Sequence, residues 1–72
     1  MTKAEFLEFL NKNSITTAVY FENAAADGYF VLKSKFRWEV SLRERGVELD
    51  CMCFPTEEDA LAYLTQKLTG NR

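Results

Sequence analysis

Histidine does not occur in this 72-residue chain. Its absence removes the commonest general base, the commonest metal ligand and the usual partner of a serine or cysteine nucleophile. Cysteine occurs only as Cys51 and Cys53. Two thiols two positions apart do not form a disulfide framework. With no histidine and no further cysteine, they cannot complete the roughly four N or S ligands that zinc takes. Glycine is limited to Gly28, Gly46 and Gly70, all isolated, so no glycine-rich loop can cradle a phosphate. No stretch reaches the ~18 apolar residues of a membrane span. Positive charge is not in excess either. Nine Lys and Arg stand against eleven Asp and Glu, a net charge of −2, whereas a nucleic-acid binder usually carries a basic surplus. The start, Met1-Thr2-Lys3-Ala4-Glu5, has no basic region followed by an apolar run. No secretory leader is expected, and the expected setting is a reducing cytoplasm.

Apolar and aromatic residues are plentiful by contrast. At 47% hydrophobic and 14% aromatic, the chain can bury a compact core, and its length fits one domain over residues 1–72. "TKAEFLEFLNK" (2–12) reads as a helix: Thr2 caps it, Glu5 three positions on completes a capping box, and Phe6, Leu7, Phe9 and Leu10 supply an apolar face. "ITTAVYFE" (15–22) is β-branched and aromatic, as a strand should be. "NAAADG" (23–28) is a turn. "YFVLKS" (29–34) and "KFRWEVSLR" (35–43) read as two strands or one long bent strand. In the second, Phe36, Trp38, Val40 and Leu42 alternate with polar residues, the pattern of a sheet with one buried and one wet face. "RERG" (43–46) is a hairpin turn with Gly46 supplying φ > 0. "VELDCMCF" (47–54) is the next strand. Thr56 then caps a helix over 57–68, with Glu57, Glu58 and Asp59 in its first turn, Lys67 near its end and Gly70 to stop it. The order α-β-β-(β)-β-α predicts a two-layer α+β domain: an antiparallel meander of three to four strands, covered on one face by an N-terminal and a C-terminal helix.

Alternation along 47–54 places Val47, Leu49, Cys51 and Cys53 on one face and Glu48, Asp50, Met52 and Phe54 on the other. On that register the thiols are small buried residues of the sheet–helix layer. Glu48 and Asp50 form a same-face carboxylate pair, but nothing in the sequence encloses them as catalysis would need. No metal, no cofactor and no enzymatic activity is expected. Charge is distributed unevenly. Residues 33–45 hold Lys33, Lys35, Arg37, Arg43 and Arg45 against Glu39 and Glu44, while 46–66 hold five acids and no base. If Met52 and Phe54 point outward among those acids, they form a contact patch for a basic partner. If a bulge, loop or terminus covers them, they belong to the core. Tyr20, Phe21, Tyr29, Phe30, Phe36 and Trp38 invite comparison with the aromatic sheets that bind single-stranded RNA. The shared face of Phe36 and Trp38 with Val40 and Leu42 points to core instead.

The run "RWEVSLRERGVELDCMCFPTEEDALAYL" pairs a tryptophan-bearing strand with an "ERG" turn. It leads through F-x-[ST]-E-E-x-A-x-x-[YF]-L into the last helix. Over residues 36–64 the chain resembles small immunity proteins of bacterial polymorphic-toxin and contact-dependent growth-inhibition systems. The resemblance implies a non-enzymatic antitoxin that binds one cognate toxin domain, typically a nuclease with a basic cleft, and occludes its active site. The expected partner-binding residues are Glu48, Asp50, Met52, Phe54, Glu57, Glu58 and Asp59. The alternative is a small nucleic-acid-binding or adaptor protein acting through the basic strand 33–45. An open edge strand in so small a sheet would also let two copies pair as a homodimer.

Overall fold

A computed structural model describes residues 1–70. It has the α-β-β-β-β-α order of an α+β domain: α1 (Lys3–Lys12), β1 (Val19–Tyr20), β2 (Gly28–Lys33), β3 (Trp38–Glu44), β4 (Val47–Phe54) and α2 (Glu57–Thr69). The four strands form one sheet in the order β1-β2-β3-β4. The meander β2-β3-β4 is antiparallel, and β1 joins it parallel to β2, so the sheet is mixed.

Local signals account for both helix starts. At α1 the Glu5 N–H donates to Thr2 Oγ1 at 3.2 Å, and the Thr2 N–H donates back to Glu5 Oε1 at 2.8 Å. Two backbone donors that the helix leaves unpaired are thereby satisfied. At α2 the Asp59 N–H donates to Thr56 Oγ1 at 3.1 Å, and Glu57, Glu58 and Asp59 fill the acidic first turn. The hairpin between β3 and β4 turns on Arg45 and Gly46, with φ of 54° and 77°. Two successive positive φ values match the right-handed twist of the flanking strands.

The core lies between the sheet and the helices. It is built from Phe6 of α1, Val31 of β2, Val40 of β3, and Ala60, Leu61 and Leu64 of α2, with Tyr29, Trp38, Phe54 and Tyr63 among the half-buried residues packed around it. Phe30 is also fully buried but points to the opposite face. There Tyr20 stacks on it with centroids 5.0 Å apart, and the Arg43 guanidinium lies 4.2 Å from its ring.

Three expectations need correction. The first strand is two residues, not 15–22. Phe21 leaves the sheet to pack edge-on against Phe6, with centroids 6.2 Å apart, and this ends the strand. Phe36 is not in the core but 91% exposed. The Ser34 N–H donates to the Arg37 carbonyl at 2.8 Å, closing a turn that carries Lys35 and Phe36 at its tip, so β2 and β3 are separate strands. Finally, Cys51 and Cys53 are exposed rather than buried. In the register, Phe54 lies opposite Trp38, Met52 opposite Val40 and Asp50 opposite Leu42, which puts these three on the helix side. The thiols face the other way, opposite Ser41 and Glu39. A register shift between Leu42 and Arg43 leaves Leu49 as an extra residue on β4, so Glu48 pairs with Arg43 and joins the thiol face.

Candidate partner-binding surface

β4 lies at the edge of the sheet, and every residue from Val47 to Cys53 is exposed. The strand projects apolar surface into solvent: Val47, Leu49 and Met52 are 56%, 54% and 43% exposed. The structure divides the seven expected contact residues into three groups. Glu48 sits on the helix-free face. Asp50, Met52 and Phe54 sit on the helix face. Glu57, Glu58 and Asp59 form the first turn of α2. Phe54 is no outward anchor, since its ring lies 5.1 Å from that of Tyr63 and packs against the core. Met52, 43% exposed, stays open on that face between Phe54 and Asp50, the two β4 positions that α2 meets through Tyr63 and Lys67. Asp50 Oδ2 lies 4.0 Å from Lys67 Nζ, and Glu58 Oε2 accepts from the Met1 ammonium at 3.0 Å. Both pairs are solvent-exposed, where such contacts contribute little and leave the carboxylates free to meet a partner.

On the helix-free face, Glu48, Cys51, Glu39 and Cys53 lie together. The Cys51 thiol is pushed up from 9.0 to about 11. Partial desolvation on the strand is the largest cause, followed by the hydrogen bond to Glu48 and the charges of Glu48 and Glu39. An exposed thiol held in its protonated form is a weak nucleophile and a weak metal ligand. Among the described residues, no group of three or more Cys, Asp or Glu is arranged to hold a metal ion.

The basic residues of 33–45 split between the two ends of β3. Lys33, Lys35 and Arg37 surround the Ser34–Arg37 turn; Arg43 and Arg45 lie at the hairpin end. Arg43 Nη1 donates to Asn23 Oδ1 at 2.7 Å, and the Arg45 N–H donates to Asp27 Oδ1 at 3.0 Å, tying the hairpin to the 23–27 loop. An open cavity of about 590 Å³ lies at this junction, lined by Asp27, Arg43, Arg45 and Glu48 beside the alanines of that loop. Its two cations face two anions, so it selects neither charge.

Sequence reasoning missed the exposed Phe36 and the clustering of Glu48 with Cys51. The first had a signal, since Ser34 to Arg37 contains no apolar residue except Phe36. The bulge behind the second left no mark in the sequence. No protein-family model matches the chain, and neither a curated protein nor a solved structure matches it. Among the described residues, no helix is long and apolar enough to cross a membrane.

Proposed function

We propose that this chain is a non-enzymatic immunity protein that binds one cognate bacterial toxin domain, a nuclease with a basic cleft, and occludes its active site. The reading rests on the resemblance over residues 36–64. The observation that carries it is the concentration of Glu48, Asp50, Glu57, Glu58 and Asp59 on an exposed edge strand and the adjoining helix turn, in a stretch (46–66) without Lys or Arg. Carboxylates placed this way can occupy positions meant for phosphates and steer a basic partner into encounter. Met52 adds exposed apolar area among them. The test is co-expression and co-purification with a toxin domain encoded beside this chain, followed by the Glu48→Lys/Asp50→Lys variant. Association should slow by about tenfold or more at low salt, and its salt dependence should weaken. Unchanged association rate and unchanged protection would place the contact elsewhere.

One observation favours a second reading. Phe36, 91% exposed, sits at the tip of a turn between Lys35 and Arg37. An exposed ring flanked by cations suits stacking on an unpaired base. Filter binding at low salt would decide: RNA or DNA affinity that disappears in Phe36→Ala and Arg37→Ala variants replaces the toxin reading with nucleic-acid binding.

A further inference from the structure

The two edges of the sheet are unequal. β1 is two residues long, whereas β4 runs for eight, pairing with β3 along one side. Among the described residues, no strand pairs along its other side. An edge strand directs half of its backbone N–H and C=O groups away from the sheet, unpaired. Proteins commonly blunt such an edge with a bulge, charges, an internal proline or a covering segment. In β4 the bulge at Leu49 and the charges of Glu48 and Asp50 occupy the hairpin half. Cys51, Met52, Cys53 and Phe54 carry no charge, and Pro55 comes only after them.

We infer that Asp50–Phe54 is a docking edge that adds an extended strand from a partner protein, one in which basic and apolar residues alternate. Main-chain bonds to the open edge would supply affinity, and alternate side chains would supply specificity. The two faces flanking this edge differ in chemistry. On the helix-free face, Cys51 and Cys53 stand beside Glu48 and Glu39, so Lys or Arg on that side of an incoming strand meets two carboxylates. Their own neighbours, Arg43 across the ladder and Arg37 at 3.9 Å, hold them only by weak solvent-exposed contacts. On the helix face, Met52 continues the apolar row of Val40, so the intervening residue meets apolar surface. The charge argument also discriminates against a second copy. A β4–β4 pair brings together two sets of Glu48 and Asp50 with no base on either strand. This mode of capture rests on the protein-binding reading above and specifies the edge and the chemistry of the captured strand.

The test uses the full chain, isotope-labelled, titrated with a capped peptide of about nine residues alternating lysine and valine. Controls are the glutamate–valine counterpart and a lysine–valine peptide N-methylated on alternate backbone amides. The lysine peptide should shift and protect the amides of Asp50–Phe54 and bind about tenfold tighter than the glutamate peptide. N-methylation should abolish binding by removing main-chain donors. No saturable binding, shifts confined to 33–37, indifference to peptide charge, or a β4-mediated dimer in sedimentation would each overturn the inference. Cys53→Lys, at an exposed position, places a blocking charge on the edge and should abolish peptide binding and toxin neutralisation together. A Cys53→Lys chain that loses the peptide but still neutralises the toxin refutes the edge as the docking site and leaves the inhibitor reading intact. A chain that binds the peptide at β4 but neutralises no toxin keeps the edge and refutes the inhibitor reading.

Discussion

Phe54 lies against Tyr63 with ring centroids 5.1 Å apart and planes tilted by 41°. The contact joins the end of β4 to the second turn of α2, and it determines which face of β4 meets the helix. Counting back by twos from Phe54 brings Met52 and Asp50 to the helix side and leaves Cys53 and Cys51 on the other. Truncation should expose this asymmetry. Phe54→Ala is expected to cost about 2–3 kcal/mol, below the 3–5 of a fully buried phenylalanine because Phe54 is only half-buried. Cys53→Ala and Met52→Ala should each cost less than about 1 kcal/mol. Urea midpoints at constant m value measure all three. Equal losses at Phe54 and Cys53 would mean that β4 presents the opposite face.

Helix α1 closes with a Schellman motif that lacks its usual glycine. The Ile15 N–H donates to the Leu10 carbonyl at 2.9 Å and the Ser14 N–H to the Asn11 carbonyl at 3.2 Å, while Ser14 itself holds φ of 54°. Glycine prevails at that position because a Cβ strains the left-handed conformation. Ser14→Gly should therefore stabilise the domain by about 0.5–1 kcal/mol, the strain relieved less the extra entropy of glycine in the unfolded chain. In a domain this small, whose margin is only a few kcal/mol, thermal denaturation should resolve such a gain. A loss of stability would show that the serine side chain contributes something its backbone angle conceals.

The raised Cys51 thiol makes two predictions of definite sign. Its alkylation by iodoacetamide should be slow at neutral pH and rise with a midpoint near 11, although the residue is exposed. Glu48→Gln should lower that midpoint, because it removes a full negative charge beside the sulfur. The folded-state value lies above the ordinary 9.0, so the folded chain holds the proton more tightly than the unfolded one. The associated stability is complete below pH 9.0 and declines as pH rises from there toward 11. A Cys51→Ser variant should lose this slope. Fast alkylation of Cys51 at pH 7 would mean that neither desolvation nor the carboxylates raise the thiol.

Features set by neighbours in the chain were legible in the sequence. The Thr2–Glu5 capping box, the Thr56 cap, the bounds of β4 and the hairpin at Gly46 all depend on residues within a few positions of one another. Features decided at a distance were not. "VELDCMCF" offers apolar side chains at both parities. Four small or medium ones argue for one face, and the choice falls the other way because Phe54 finds Tyr63. The bulge at Leu49 then reverses Glu48 and Val47, a shift no alternation rule anticipates. Phe36 was misplaced because the alternation of β3 was continued backward through a turn. For the candidate surface, the acidic stretch was visible as a run of residues. Its division over two sheet faces and a helix turn was not, nor was the open backbone edge, which depends on the order of strands.

Gly28 shows how such a distant constraint falls on a single residue. It holds φ of 144°, and a Cβ built there would lie 2.7 Å from the Ala18 carbonyl oxygen and 3.0 Å from the Ala18 Cβ. That carbonyl accepts from the Tyr29 N–H at 3.0 Å, the bond that starts the parallel pairing of β1 with β2. An alanine at 28 would meet backbone rather than a flexible side-chain end, in a backbone conformation that L residues rarely adopt. Gly28→Ala should destabilise by about 2–4 kcal/mol, through strain and the loss of β1 pairing together. If it still folds, amide exchange at Tyr29 should accelerate far more than at Val40, because Val40 pairs with Val31 and Met52, away from the β1–β2 seam that the substitution strains. Equal acceleration at both amides would mean that β1 unfolds only with the whole domain and that Gly28 secures the entire sheet.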